Sequence, residues 1–316
     1  MTLEKPYFCR RKFLSCHNVQ QRFFIMRLSH SIFLGSSLAY ILILLKTVSS
    51  AFADILEAQV RLGNQLGRIF LSLSFFVFLA ILWEITARGL KIPTPILPPI
   101  SGVLHYLIHF LPTMLSDVFI TLYRALLGLG LGTILGLFLG FVLGYSSYFY
   151  KSFYPLLIAF YSIPKQALVP LIVLWTTFGT TPAIVTALIT SFFPILVNTT
   201  TGILILDPDL VALAKIYGAT KWRLFVKISI PYSMPYFFAA LRVAGVGAIV
   251  GATLSEMIAA QNGVGHKVLM ASVKFQTLEL FSYVLLIGIV SVFLYWLLTV
   301  CDRYIVWWAY RGQERL

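Results

Sequence analysis

The sequence consists largely of apolar runs, each roughly 20 residues long, which recur along most of the chain. A helix of that length just crosses the hydrocarbon core of a bilayer. Charged residues make up 11% of the chain, whereas a soluble domain carries about 25%. Because the apolar runs are continuous and do not alternate with polar residues, they favour helices over a β-barrel. The sequence therefore predicts an all-α, polytopic membrane protein.

Six membrane spans are predicted. They cover about 69–87, 118–145, 153–178, 182–206, 235–258 and 280–300. The third contains Pro155, Pro164 and Pro170, so it is either one kinked span or two half-helices. Residues 100–111 are predicted as a short amphipathic helix at the interface, and 259–277 as an outside loop.

The first 66 residues form an N-terminal extension that precedes a transmembrane domain over 67–316. A basic cluster is followed by an apolar stretch over 32–45 and by the small-x-small sequence Ala51-Phe52-Ala53. Three interpretations stay open: a signal peptide that begins near Met26, an extra membrane anchor, or a true start further downstream. An uncleaved extra span would put the basic cluster outside, against the positive-inside rule.

The distribution of basic residues predicts the orientation of the spans. The predicted cytoplasmic side carries Arg61, Arg68, Lys151, Lys215, Lys221, Arg223, Lys227, Arg303, Arg311 and Arg315. The predicted outer side carries only Arg88, Lys91, Lys267 and Lys274. Both ends of the six-span core are therefore expected in the cytoplasm. This asymmetry accounts for the net charge of +13 without a nucleic-acid partner.

A polar, basic segment at 207–231 separates two apolar spans on the predicted cytoplasmic side. Asp207 and Pro208 are typical of a helix start, and Gly218 of a left-handed helix end. Thr220 is placed to cap a second short helix. The first helix is expected to have one apolar face, made of Leu210, Leu213, Ala214 and Tyr217. It is either a docking surface for a soluble partner or a basic helix resting on anionic lipid.

The spacing from Gly218 to Ile228-Ser229-Ile230-Pro231 resembles the EAA loop of permease subunits in bacterial ATP-binding-cassette importers. Ile230 replaces the family's leucine, and Ala212-Leu213-Ala214 stands where the family has Glu-Ala-Ala. The resemblance implies that 207–231 is a coupling loop whose helix docks into a groove on the ATPase. The implied ATPase-coupling residues are Leu210, Leu213, Ala214, Tyr217, Gly218, Ala219 and Pro231.

The resemblance extends to the nitrate, sulfonate and taurine subfamily, which includes relatives for bicarbonate and for thiamine-precursor pyrimidines. It rests on 162–170, 174–179, 193–199, 255–257 and 263–265. It implies a multi-pass bacterial inner-membrane permease that imports such an anion or pyrimidine, with the particular solute left open. The implied partners are a cytoplasmic ATPase that binds ATP, an extracytoplasmic substrate-binding protein and a second permease copy. A homodimer is expected, a heterodimer stays open, and the chain itself is expected to be no enzyme and to hold no cofactor.

Polar residues in the predicted spans are candidates for a translocation path or gate. They are Ser162, Gln166, Asn198, Arg242 and Glu256. The alternative is that they form packing pairs or hydrogen bonds between helices. Arg124 lies two helical turns after Asp117 on one face, and this spacing predicts that the two lie near each other.

Small residues recur at every fourth position in two predicted spans. The first ridge is Gly128, Gly132, Gly136, Gly140 and Gly144, and the second is Ala240, Ala244, Ala248 and Ala252. On a helix such a ridge allows close backbone approach. The ridges indicate either helices that slide against their neighbours or ordinary tight packing.

Two other functional classes fit the sequence less well. A secondary transporter or channel working alone predicts intramembrane acidic or histidine relays, which the spans barely contain. An intramembrane enzyme needs a clustered nucleophile or metal set. Cys9, Cys16 and Cys301 are scattered, and His105 and His109 have no acidic residue nearby. The sequence also lacks a phosphate-binding Gly-x-x-x-x-Gly-Lys-Ser/Thr loop.

Overall fold

The structure, a computed structural model, describes residues 65–90 and 93–310, with side chains from residue 74 onward. Every regular element in these ranges is helical, which confirms the all-α prediction. The predictions for 1–64 lie outside the described residues, and the domain boundary at 66 and 67 stays a prediction. The chain divides between residues 81 and 82 into two units, and in the first unit the described residues 65–81 are helical.

The helices follow one another with short connections. They are α1 (Gln65–Gly89), α2 (Ile100–Tyr145), α3 (Ser147–Tyr161), α4 (Lys165–Thr176), α5 (Thr181–Leu204), α6 (Pro208–Ile216), α7 (Lys221–Leu224), α8 (Ile230–Ala259), α9 (Val264–Val273), α10 (Thr277–Ile305) and α11 (Trp307–Tyr310). A five-residue π-helical turn, Phe225–Ser229, joins α7 to α8.

The described helices include four that are long and apolar enough to cross a membrane. They are α2, α5, α10 and the stretch Lys221–Ala259, which includes α8. The pair α3 and α4, bent by 92° at its break, makes a fifth if it counts as one span. The polytopic prediction is therefore confirmed, and the third predicted span is built as two half-helices. Helix α1 includes all the residues of the first predicted span, 69–87.

The predicted interfacial helix over 100–111 is wrong as a separate element. It is the first part of α2, which runs without a break through Pro112 into the second predicted span. Proline removes one backbone hydrogen bond and can kink a helix without ending it. No glycine follows Pro112 before Gly128 to end the helix in a left-handed turn, and the helix continues.

The polar segment predicted over 207–231 and the span predicted over 235–258 are not separate elements. The stretch Lys221–Ala259 is helical throughout. Pro231 lies in the first turn of α8, directly after the π-helical turn, and its missing N–H removes one hydrogen bond from the ladder without ending the helix. The predicted outer loop over 259–277 likewise contains a helix, α9.

Helix α5 packs along both α2 and α8. The glycine ridge of α2 faces α5: a Cβ atom at Gly128 would lie 2.5 Å from Ala187 Cβ, and one at Gly140 would lie 2.9 Å from Thr199 Cβ. The alanine ridge of α8 is buried in the same core, together with Ala187. The ridges therefore pack closely, while the prediction of sliding is untested.

Candidate functional site

The ends of α6 lie at the residues that were predicted to start and end it. The Asp207 carboxylate accepts a hydrogen bond from the Asp209 backbone N–H at 2.8 Å, and Pro208 is the first helical residue. Gly218 has φ +76°, in the left-handed region, and its N–H donates to Lys215 O at 2.9 Å. Thr220 Oγ1 accepts from the Arg223 N–H at 3.3 Å and caps α7. These local predictions are confirmed.

One face of α6 is apolar and exposed. Leu213 is 52% exposed and Tyr217 is 82% exposed, with Leu210 beside them on the same face. Ile216, at 81% exposed, extends this surface and was not identified from the sequence. Of the other predicted coupling residues, Ala214 of α6 and Ala219 after it are half-buried, and Pro231 lies within α8.

The polar segment is tied to α2 by aromatic contacts. Phe225, in the π-helical turn, is buried, and its ring centroid lies 5.0 Å from that of Tyr145 and 6.1 Å from that of Phe141. Trp222 of α7 lies 6.0 Å from the same ring. The segment therefore contacts the end of α2 and continues directly into α8.

A cavity of about 520 Å³ lies between the break in the α3–α4 pair, α5 and α8. Lys165 and Gln166, the first two residues of α4, line it opposite Thr190 and Gly247. The Lys165 ammonium lies 4.0 Å from the centroid of the Tyr161 ring, a cation–π contact. The ion pairs of the described residues do not include Lys165.

Two of the predicted path residues bond within their own helices. Ser162 Oγ donates to Ile158 O at 2.9 Å, and Asn198 Nδ2 donates to Pro194 O at 2.8 Å. Among the predicted path residues, Gln166 alone lines the cavity. Lys165 was missed, although a cation inside an otherwise apolar segment is a signal that sequence reasoning could have used.

Glu256 lies at the centre of a buried polar network. Its Oε1 accepts from Arg124 Nη1 at 2.7 Å, and its Oε2 accepts from Thr121 Oγ1 at 2.8 Å and from the Gly265 N–H at 3.0 Å. Arg124 Nη1 also donates to Asn262 O at 3.0 Å. Neither charged side chain is more than 4% exposed. The network, called here the Arg124 network, joins α2, α8 and the start of α9.

The predicted proximity of Arg124 and Asp117 is not found. Asp117 Oδ2 instead accepts a hydrogen bond from Tyr283 Oη at 2.8 Å. Seven residues of helix separate the two by about 10 Å along the axis, so Arg124 reaches across to Glu256. Gly263, at φ +100°, passes so close to the Glu256 carboxylate that a Cβ atom there would lie 2.6 Å from it.

Arg242, which is half-buried, forms an ion pair with a buried carboxylate. Its Nη2 lies 3.6 Å from Asp302 Oδ2, which also accepts from Tyr310 Oη at 2.6 Å. Asp302 is fully buried. Arg242 and Glu256, both predicted as path or gate residues, are thus engaged in interhelical ion pairs, the alternative interpretation of their role. No group of three metal-ligating side chains occurs within 65–90 and 93–310.

Comparison with known proteins identifies the family. Residues 132–306 match the model of the binding-protein-dependent transport system inner membrane component. The chain belongs to this family of transport permeases. It is therefore a multi-pass inner-membrane permease.

Relatives of the permease agree with the predicted subfamily. It is 32% identical to the riboflavin transport system permease protein RibX of Chloroflexus aurantiacus, over 49% of this chain and 58% of RibX. It is 28% identical to the formylaminopyrimidine transport permease protein ThiX of Halalkalibacterium halodurans, over 61% of this chain and 77% of ThiX. The putative aliphatic sulfonates permease SsuC of Escherichia coli is 30% identical over 37% of this chain and 44% of SsuC.

A solved structure shares the fold of the permease. A chain of the MetNI methionine ABC transporter, in inward-facing conformations, superposes with a TM-score of 0.54. The alignment covers 62% of this permease and 96% of that chain, at 17% sequence identity. At this identity the likeness establishes the fold alone.

Proposed function

We propose that the permease forms the translocation path of an ATP-driven importer and that α6 couples it to a partner ATPase. The observation that carries the proposal is the exposed apolar face of α6, in which Leu213, Ile216 and Tyr217 contact water in the absence of a partner. Exposed apolar patches of this kind mark interaction sites. Aromatic and aliphatic anchors in such patches contribute most of the binding free energy.

The connection between α6 and the spans supports coupling. Gly218 ends α6, and α7, the π-helical turn and α8 then form one continuous helical stretch. Phe225 packs against Tyr145 at the end of α2. ATP-driven approach of two ATPase subunits would therefore move α6, α8 and the end of α2 together, and switch access to the path.

Family membership supports the remaining parts of the proposal. The partner ATPase binds and hydrolyses ATP, so the permease needs no cofactor and catalyses no reaction. An extracytoplasmic binding protein delivers the solute, and a second permease copy, in a homodimer, completes the path. The relatives RibX and ThiX carry names of transport permeases, which supports this role.

The coupling proposal predicts a large loss of ATPase binding when the face of α6 is charged. Tyr217→Asp or Leu213→Asp should weaken binding of the partner ATPase by about tenfold or more, because each substitution places a carboxylate in an apolar contact. Titration of the purified ATPase against the permease in nanodiscs measures the affinity. The matched controls are Tyr217→Phe and Leu213→Met, which keep the apolar surface and should bind as the unaltered chain does.

The coupling proposal fails if the Asp variants bind the ATPase normally and still support solute-stimulated ATP hydrolysis. Solute uptake by the permease without any ATPase would instead support a secondary transporter. Size-exclusion profiles of the variants without ATPase check that the substitutions in α6, which lies at the surface, have not disturbed the fold.

We further propose that the solute is an anion that passes Lys165. Helix α3 is 15 residues long, so the start of α4 lies about 20 Å from the start of α3, well inside a bilayer. An ammonium group at that depth needs a counter-charge. The buried carboxylates of the described residues, Asp117, Glu256 and Asp302, each already contact another side chain.

The cavity supports an organic anion in particular. Its volume of about 520 Å³ greatly exceeds that of a small inorganic ion, and apolar side chains dominate its walls. Val243, Val246, Val250 and Leu254 of α8 form one wall, opposite the Lys165 ammonium. A sulfonate with an aliphatic body fits this combination better than nitrate, bicarbonate or a neutral pyrimidine.

Lys165→Gln should reduce uptake of butanesulfonate by about tenfold or more, because one charge-assisted contact is lost in a low-dielectric cavity. Uptake is measured in proteoliposomes that contain the permease, its ATPase and its binding protein. Lys165→Arg keeps the charge and should retain most of the uptake. Lys151→Gln, at an exposed position of α3, is the control. Uptake by Lys165→Gln equal to that of the Lys151→Gln control would contradict the proposed role of Lys165.

A further inference from the structure

A second cavity lies on the other side of α6, away from its exposed apolar face. It is a crevice of about 690 Å³ between α6, α7 and the ends of α2 and α5. Val211 and Lys215 line it from α6, and they are four residues apart, on one face of the helix. This face is distinct from the one formed by Leu213 and Tyr217. A ligand in the crevice and an ATPase on the apolar face can therefore contact α6 at the same time.

The crevice, called here the cytoplasmic crevice, is basic at its mouth. Lys215 of α6 and Lys221 of α7 both line it, and Ser146 and Ser147 provide hydroxyl groups between α2 and α3. None of the lining residues is acidic. Neither lysine takes part in an ion pair among the described residues. Two cations from separate elements thus line one crevice, and neither has an ion-pair partner among the described residues.

The inner walls of the cytoplasmic crevice are apolar. They are formed by Ile203, Leu204, Leu206, Leu224 and Phe225. Ser229 in the π-helical turn also lines the crevice, although only 3% of this residue is exposed. π-Helical turns inside α-helices frequently occur at functional sites. The crevice therefore combines two exposed basic side chains with apolar walls, on the predicted cytoplasmic side.

We propose that the cytoplasmic crevice binds a phosphate-bearing ligand, with the phosphate between Lys215 and Lys221. Lysine ammonium groups bind phosphate oxygens through charge-assisted hydrogen bonds. Basic pockets between helix ends on the cytoplasmic side are suited to anionic lipid headgroups. The phosphate belongs either to an anionic phospholipid, whose acyl chain covers the apolar walls, or to a soluble phosphate ester.

The bound phosphate would restrain α6 relative to the spans. It contacts α6 and α7 through the two lysines and the end of α2 through Ser146, so it bridges the polar segment and the spans. This restraint limits the movement of α6 relative to the spans. A displacement of α6 by the ATPase therefore moves the spans further. This role is additional to ATPase docking and solute transport, and neither of those proposals depends on it.

The test titrates phosphatidylglycerol into phosphatidylcholine nanodiscs that contain the full chain, with bound lipid counted by native mass spectrometry. The double variant Lys215→Gln/Lys221→Gln should bind phosphatidylglycerol about tenfold more weakly than the unaltered chain, because both phosphate contacts are lost. The matched control is Arg223→Gln/Lys227→Gln, which removes the same charge from neighbouring residues that do not line the crevice. It should bind phosphatidylglycerol normally.

Two further arms identify the source of the phosphate. Glycerol 3-phosphate added to phosphatidylcholine nanodiscs should bind with the same dependence on Lys215 and Lys221 if the crevice selects soluble phosphate esters. Binding of phosphatidylglycerol alone assigns it to the lipid headgroup. Equal lipid binding by the double variant and the unaltered chain overturns the proposal. So does an equal loss in the control variant, because it would indicate general surface attraction.

Discussion

Replacing Glu256 with glutamine is expected to lower the free energy of unfolding of the permease by about 3–5 kcal/mol. The carboxylate is fully buried, and it accepts hydrogen bonds from Arg124, Thr121 and the Gly265 backbone. Glutamine keeps the size of the side chain but removes its charge. Arg124 is then left as a buried, uncompensated cation, and removing one partner of a buried pair is the costly case.

The measurement is reversible unfolding in mixed micelles, with SDS as denaturant. The double variant Arg124→Gln/Glu256→Gln should recover part of the lost stability, because it leaves no unpaired charge. Glu84→Gln removes a half-buried carboxylate whose partner, Arg88, is 66% exposed, and it should change the stability far less. A Glu256→Gln variant as stable as Glu84→Gln would show that the Arg124 network contributes little to the fold.

The polar segment was the part of the permease that local sequence signals predicted best. The cap at Asp207, the left-handed end at Gly218 and the cap at Thr220 each depend on a few adjacent residues. Interactions of this range are visible in a single sequence. The apolar face of α6 was predicted from the same short stretch, although its most exposed aliphatic member, Ile216, was not named.

The polar contacts within the spans were not predictable in the same way. Arg124 and Glu256 are far apart in the sequence, and their pairing depends on how α2 and α8 pack. A helical spacing rule suggested Asp117 as the neighbour of Arg124 because it considers one helix at a time. Tertiary packing assigned Asp117 to Tyr283 instead. The cavity beside Lys165 likewise exists only once α4, α5 and α8 have met.

Prolines lie both inside helices and at a helix break in the permease. Pro112 and Pro235 lie inside helices that continue, whereas Pro164 stands at the start of α4, at the break in the α3–α4 pair. The prolines that interrupt a helix differ from those that do not in the structure around them. The Ser162–Pro164 break is exposed beside the cavity, while Pro112 has regular helix on both sides. A proline predicts where a helix can bend, and packing determines whether it does.

The glycine ridge of α2 provides the second large expected effect. Gly128→Ala should lower the free energy of unfolding by about 1–3 kcal/mol, because it overpacks the contact with α5. The added Cβ atom would lie 2.5 Å from Ala187 Cβ, 2.6 Å from Ile184 O and 2.8 Å from Leu188 N. Two of these atoms belong to the backbone of α5, so no side-chain rotation can relieve the clash. The two helices must move apart.

Gly130→Ala is the matched control, two residues away on the same helix. A Cβ atom there meets nothing within 4 Å, so the substitution should be neutral or slightly stabilising through the higher helix propensity of alanine. Both variants are compared by the same SDS unfolding measurement. Equal stabilities would mean that α2 and α5 can separate at little cost, as the sliding interpretation of the ridge requires. A large difference between them identifies the ridge as a fixed packing surface, and movement in the transport cycle must then occur at other helix contacts.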